Sequence, residues 1–461
     1  MDTRTCQAGG GTRLAGIGRG GGGAASGGKA TIGPLRGQSP DVGTCLDPCI
    51  ALCGTMREID ESHIGAEALE ESGRLGYEFY RSIGSPTRIV APMVDQSELA
   101  FRRLCRRYGS NLCYTPMYNS KCFAVSSAYR KSNFDPHPED RPLIVQFCGH
   151  DPALLLASAK FVEKECDAID LNLGCPQGIA RKGRYGAFLL EEWALLRDIV
   201  STLAKNLSIP VTCKVRLLDS VEDTITMCKM LVAAGARIIT VHGRTKEQKS
   251  KATAGCNWDA IRRIKEALPV PVFSNGAISS LEDVERCLRE TGCDGVMSSE
   301  GVLERPGLFS DNVSTVTGLK MSQDDIVLEY IDLAKQSPPH SRGRTSVPCL
   351  RGHMFKCLFT AVAVRTDLRA RLTKARTLEE MEELALAVRE ARLADPESFD
   401  EEKTWYRRHT MPHTSDEWGT PQALWAAQAE VVAEKRLRDP GPEEVGLGDS
   451  IFGEEEGAGD Y

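Results

Sequence analysis

Eight short apolar runs, each of strand length, recur through residues 86 to about 310. They are Arg88–Met93, Leu112–Thr115, Leu143–Phe147, Ala168–Asn172, Val211–Val215, Ile238–His242, Val272–Asn275 and Gly295–Ser298. Helical periodicity fits between them at Ser97–Arg107, Pro152–Glu165, Leu190–Lys205, Val221–Ala234, Trp258–Ala267 and Leu281–Glu290, with only Val125–Lys131 suggesting a helix between the second and third runs. Strands separated by helices are parallel strands, because parallel neighbours need a long crossover. Even spacing of eight such units over some 225 residues predicts an α/β fold closed into a (β/α)8 TIM barrel, rather than an open doubly wound sheet.

In such a barrel, chemistry sits at the carboxyl ends of the strands. Polar groups stand at nearly all of those ends here. The first run ends in Pro92, Met93 and Val94; the third carries Gln146. The fourth, Asp170-Leu-Asn-Leu-Gly-Cys-Pro176, breaks after Asn172 and holds Cys175 at its tip. Lys214 and Arg216 follow on the fifth, His242, Gly243 and Arg244 on the sixth, Asn275-Gly276-Ala277 on the seventh, and Ser299-Glu300-Gly301 on the eighth. Any one has a bland reading: a paired Lys214, a satisfied core His242, a buried structural Cys175. Their collection on one rim is hard to explain by stability. Glycines after the last two strands suit a phosphate site, and a lysine nearby suits the anionic edge of a reduced flavin.

Composition excludes other classes. The chain has 461 residues and a formal net charge of -7, so any nucleic-acid surface must be local. No apolar run approaches the ~20 residues of a membrane span. The 17 cysteines are scattered, many within apolar strands or helices, which favours reduced thiols over a disulfide framework. Cys45, Cys49 and Cys53 form CxxxCxxxC, which lacks both zinc-knuckle spacing and an evident fourth ligand, so no metal site is expected. Residues 1–84 are Gly-rich at the start and read as a disordered extension, whose polar and charged part, 57–84, suggests a short helix leading into the fold. Their arginines against one acid, Asp2, up to Gln38 leave an organellar transit peptide open beside a cytoplasmic or nuclear location.

After Pro338-Pro339 the balance changes. Residues 341–376 carry nine Lys/Arg, among them Arg351 and Lys356, against the single acid Asp367. Ser322 and Asp325 mark a helix start, and Thr377 with Glu380 forms a capping box for a helix over Leu378–Leu393. This predicts a smaller C-terminal α-helical domain, residues 320–395, with a basic face suited to a phosphate backbone. Arg102, Arg103, Arg106 and Arg107 form a second basic group. The tail, 396–461, reads as mostly disordered, with Trp405, Trp418 and Trp425 unassigned.

The ordered stretches APMVDQSELAFR, VQFCGHD, DLNLGCPQGIARKGRYGAFLL, CKVRL, VHGRT and SNGAI resemble the tRNA-dihydrouridine synthases. GCPQGIARKGRYGAFLL and EGVLERPGLF are similar to the eukaryotic branch acting on uridines 16 and 17. The resemblance covers about residues 77–395. It implies an FMN-binding catalytic barrel over residues 85–312, NADPH or NADH as reductant, and tRNA as partner of a monomeric enzyme. FMN would lie on Pro92, Met93 and Val94, with Gln146, Lys214 and His242 at its ring. Asn275, Gly276, Ala277, Glu300 and Gly301 would hold its phosphate end. Cys175 would be the proton donor, with Asn172 and Arg216 placing the uracil and Arg351 and Lys356 gripping tRNA. Two departures stand out: Ala277 replaces a residue usually polar, and SSEGV replaces a Gly-Arg-Gly type ending. Another FMN barrel acting on a small pyrimidine or enone, and a non-catalytic RNA-binding relative, are the competing readings.

Overall fold

The computed structural model describes residues 65–248, 255–337 and 347–399. Cys45, Cys49, Cys53, Arg342, Arg344, Trp405, Trp418, Trp425 and the segments around them lie outside the described residues. The strands are β1 (Arg88–Val90), β2 (Leu112–Tyr114), β3 (Tyr118–Asn119), β4 (Leu143–Cys148), β5 (Ala168–Leu173), β6 (Val211–Arg216), β7 (Ala236–His242), β8 (Val272–Asn275) and β9 (Gly295–Ser298). All pair in parallel, in the order β2-β1-β9-β8-β7-β6-β5-β4, and a β2–β4 pairing closes the ring of eight. The two-residue β3 adds only to the end of β4. The gap after β2 is filled by two short helices, Ser120–Val125 and Ser127–Asn133.

Alternation along each strand separates two cores. Val145, Ile169, Leu171, Cys213, Val215, Ile239 and Val241 face the surrounding helices. Their neighbours turn inward. At the amino-terminal end these inward residues are apolar: Ile89, Leu112, Ile144, Ala168, Ile238, Phe273 and Met297. Towards the carboxyl end they become Gln146, Asp170, Asn172, Thr212, Lys214, Thr240 and His242. The barrel interior thus grades from a dry plug to a polar mouth.

A helix over Ala66–Ser82 completes the plug, with Phe79 and Tyr80 in the inner apolar cluster. Tyr80 Oη donates to the Asp294 carbonyl at 2.9 Å, and Asp294 is also salt-bridged to Lys265 at 2.7 Å. Gly76 allows this approach: a Cβ there would stand 2.6 Å from the Arg237 carbonyl. The folded part therefore begins well before residue 85. The sequence suggests only a short helix within 57–84, because polar residues cover the outer face of this one.

The C-terminal part is helical: Gln323–Gln336, Val347–Cys357, Phe359–Val364, Thr366–Lys374 and Leu378–Ala394. The Thr377–Glu380 capping box is formed. Glu98, at the start of the first barrel helix (Leu99–Arg107), ties these helices to the barrel. Its carboxylate lies 3.1 Å from His353 Nε2 and accepts from Tyr330 Oη. His353 stacks on Phe101, ring centres 4.3 Å apart. Burial pushes the Glu98 carboxyl up, but the His353 charge and the hydrogen bonds from His353 and Tyr330 outweigh it and hold it below the usual range. Cys349 Sγ lies 3.7 Å from the same carboxylate. This is the one cluster of carboxylate, thiol and imidazole with metal-ligand proximity among the described residues. Its members are engaged with each other and with Tyr330.

The expected second basic group does not face solvent. Arg102 and Arg106 both bind the buried Asp140, Arg103 binds Glu139, and Arg107 binds Glu329. Their counter-charges come from outside the helix, so the helix alone looked more basic than the folded surface is.

Candidate functional site

The strand register brings the rim together. Gln146 stands beside Asp170, Asp170 beside Thr212, Asn172 beside Lys214, Arg216 beside His242, and His242 beside Asn275. Their side chains then bond across the mouth. Lys214 Nζ donates to Asn275 Oδ1 at 2.9 Å, and Asn275 Nδ2 donates to the Met297 carbonyl at 3.0 Å. Gln146 Nε2 donates to Asp170 at 2.8 Å, and Gln146 Oε1 accepts from Asn172 Nδ2 at 2.8 Å.

Asn172 shapes the turn that carries Cys175. Its Oδ1 accepts the Gly174 and Cys175 backbone N–H groups at 3.2 and 3.0 Å. The Cys175 carbonyl accepts from Ala187 N at 3.0 Å. Gly186, with φ of 67°, permits that crossing, since a Cβ would meet the Cys175 carbonyl at 2.7 Å. Cys175 is only partly buried and packs near Met117, Cys148, Ala180 and Tyr185.

Four cationic or basic groups crowd the adjoining ends of β6 and β7. Burial, then Arg216, pushes the Lys214 ammonium down to about 8, against the pull of Asp170 and Cys175. Burial and Arg244 lower Arg216 to about 10, which leaves it charged at neutral pH. Arg216 is fixed by Nε to the Gly174 carbonyl at 2.7 Å and Nη1 to the Thr245 carbonyl at 2.8 Å. Burial, with Arg216, Lys214 and Arg244, holds His242 well below its ordinary value, so the ring is neutral. Arg244 Nη1 lies 3.2 Å from His242 Nε2. A guanidinium only donates, so Nε2 accepts and the imidazole proton resides on Nδ1.

At the tips of β8 and β9 a small cleft is lined by Arg244, Gly276, Ala277, Ile278, Met297, Ser298, Ser299 and Glu300. Gly276 and Ala277 have φ of 114° and 58°. A Cβ on Gly276 would lie 3.1 Å from the His242 ring. Gly301 serves packing, because a Cβ there would reach 2.2 Å from the Ile278 carbonyl. The Glu300 carboxylate acts on Arg216. Such a carboxylate opposes an anion, so only its backbone suits a phosphate.

Pro92 and Met93 are half-buried and Val94 is exposed at the end of β1. Ser97 Oγ accepts the Met93 N–H at 3.0 Å. Arg351 and Lys356 lie apart from the rim, on the Val347–Cys357 helix. Arg351 donates to the Ala375 carbonyl at 2.9 Å. Lys356 is only 3% exposed, and burial lowers its ammonium to about 8. It is therefore not part of an open basic face. Among the described residues the exposed cations of this region are Arg371, Lys374 and Arg376. Sequence reasoning placed Arg244 on the rim without giving it a role, and missed Asp170 and Thr212 as site residues. Period-two spacing from Asn172 and Lys214 could have found both.

With this geometry in hand, comparison with known proteins decides between related barrels. The family model described as Dihydrouridine synthase (Dus) matches residues 89–393. The chain belongs to the dihydrouridine synthase family. As a family member it is 46% identical, over 317 residues, to the NAD(P)-dependent tRNA-dihydrouridine(16/17) synthase of Saccharomyces cerevisiae, covering 67% of this chain and 74% of that one. The 16/17 synthase of Schizosaccharomyces pombe is 43% identical over 311 residues, covering 67% and 78%. A human 20a/20b synthase-like protein is 39% identical over 249 residues, covering 53% and 78%.

Proposed function

We infer that this chain is a tRNA-dihydrouridine synthase that reduces the C5–C6 double bond of uridines 16 and 17, using NAD(P)H and FMN. The observation that carries the reading is the Cys175 turn, held at the barrel mouth beside Arg216, with Lys214 on the next strand and His242 on the one after. Higher identity, over a larger share of this chain, with the 16/17 synthases than with the 20a/20b relative supports the position. Incubating the purified protein with NADPH and unmodified tRNA, then mapping dihydrouridine, tests it. Product at 16 and 17 is expected; product only elsewhere corrects the position, and none at all overturns the reading.

The residues present fit FMN by their chemistry. Met93 and Pro92 offer an apolar ledge for a ring, Lys214 and His242 its polar edge, and Arg244 with the Gly276–Ala277 backbone a phosphate cleft. Gln146 already bonds Asp170 and Asn172, so its amide has one N–H and one lone pair left for a ring. When bound, FMN supplies the hydride for C6 of the uracil. Cys175 then protonates C5. Arg216, anchored to the carbonyl of Gly174, holds its charge beside that turn. Lys214→Met should purify with little or no yellow flavin, because it removes the buried cation at the ring edge. Full flavin absorbance per chain in that variant would place the flavin contact elsewhere.

tRNA binding rests here on local charge. Arg371→Glu with Lys374→Glu should weaken tRNA binding at low salt, while NADPH-driven flavin reduction persists. Each lost phosphate contact should lower the slope of log affinity against log salt by about one. An unchanged slope would move the RNA surface elsewhere.

A further inference from the structure

We propose that Asp170 is a positioning residue: its buried carboxylate sets the direction of a hydrogen-bond chain that fixes the turn bearing Cys175. The chain runs from Thr212 and Asp170 through Gln146 and Asn172 to the backbone of Cys175. Asp170, Gln146 and Thr212 are fully buried and Asn172 nearly so. Thr212 Oγ1 donates to Asp170 Oδ1 at 2.6 Å, and Gln146 Nε2 donates to Asp170 Oδ2 at 2.8 Å.

An ionised carboxylate only accepts. Gln146 must therefore turn its nitrogen towards Asp170, which leaves Oε1 facing Asn172. Asn172 must offer Nδ2 to that oxygen, at 2.8 Å. Its Oδ1 is then the atom left to accept Gly174 and Cys175 N–H, at 3.2 and 3.0 Å. The carboxylate at one end and the two backbone N–H donors at the other thus favour the same direction of the chain, with Asp170 fixing the Gln146 amide. With the chain reversed, the Asn172 NH2 would face two backbone N–H donors, and the turn would lose its tie. Burial raises Asp170 to about 6, with Thr212, Gln146 and Lys214 pulling the other way, so the group is mostly ionised at neutral pH.

Asp170→Asn keeps the shape and removes the polarity, because an amide presents either a donor or an acceptor to Gln146. The design that restores polarity is Asp170→Asn with Gln146→Glu. The amide introduced at position 170 then accepts the Thr212 proton on its oxygen and donates its nitrogen to the carboxylate introduced at position 146, which also accepts from Asn172. The test uses the full-length holoenzyme. Its first readout is the rate of Cys175 alkylation by iodoacetamide, followed by peptide mass spectrometry, with the partly buried Cys122 as internal reference. This readout is independent of catalysis. Asp170→Asn should change Cys175 labelling several-fold and leave Cys122 unchanged, and adding Gln146→Glu should return Cys175 towards the wild-type rate.

The second readout rests on Cys175 as proton donor. In Asp170→Asn, reoxidation of reduced flavin by tRNA should fall about tenfold to a hundredfold, the loss expected of a misplaced group. Wild-type Cys175 labelling in Asp170→Asn, or no return in the double variant, overturns the proposal. If the single variant does not fold, the double variant must fold and label as wild type, and its failure to do so overturns the proposal too. Absence of dihydrouridine in the wild-type assay would instead defeat the functional reading, and the labelling rates would still decide the role of Asp170.

Discussion

Cys175→Ala should return reduced flavin to the oxidised state with tRNA some 10²–10⁴-fold more slowly than wild type, the usual contribution of a positioned acid. The same variant should keep its flavin, its reduction by NADPH and its affinity for tRNA. The separation follows from geometry. The turn is held by backbone groups, Cys175 N to Asn172 and Cys175 O to Ala187, so removing Sγ leaves those bonds in place. Only the proton for C5 is lost. Serine should rescue little, because a hydroxyl is a far weaker acid than a thiol. The measurement is an anaerobic half-reaction by stopped flow: reduce the flavin, mix with unmodified tRNA, and follow the return of yellow absorbance. A wild-type rate in Cys175→Ala would make the thiol structural.

Asp140→Ala should cost about 3–5 kcal/mol of stability, the penalty for stranding a buried charge. Asp140 is fully buried and holds Arg102 at 2.7 Å and Arg106 at 3.1 Å. Arg102 is itself buried, and burial disfavours its charge, but Asp140 more than offsets this and holds the guanidinium above its ordinary value. Arg102 also donates to the Ser97 carbonyl at 2.6 Å, so the loss reaches the segment after β1. Urea unfolding should show a lower midpoint at unchanged slope. Replacing Arg102 as well, Arg102→Met with Asp140→Leu, should recover part of the loss, since only the less buried Arg106 then lacks its carboxylate partner. A single variant as stable as wild type would mean that water reaches the arginines.

The barrel was legible because its signal is local and repeated. Each strand is a short apolar run, and each catalytic candidate follows one. The site was legible to the same depth. Gln146, Asn172, Lys214, Arg216, His242 and Asn275 meet because strand ends meet. What the chain concealed depends on distant partners. Arg102 and Arg106 look like a basic face until Asp140 arrives from beyond the next two strands. Lys356 sits in a basic run, yet its helix turns it inward beside Cys357. The Ala66–Ser82 helix carries its apolar content on one narrow side, where two glycines let it lie against the barrel floor. Asp170 went unnoticed because a carboxylate in an apolar strand gives no sign of which amide it faces.

The bond from Glu98 to His353 has a consequence for how RNA is met. Parting the helices from the barrel would break the His353 and Tyr330 bonds to Glu98 and the Phe101 stack together, and would expose apolar surface to water. The two parts therefore present a preassembled surface. A tRNA arriving at it spends little binding free energy on ordering the protein, and what it retains is available for unstacking the target base. Encounter rates should then follow ionic strength and docking orientation rather than a slow closing step.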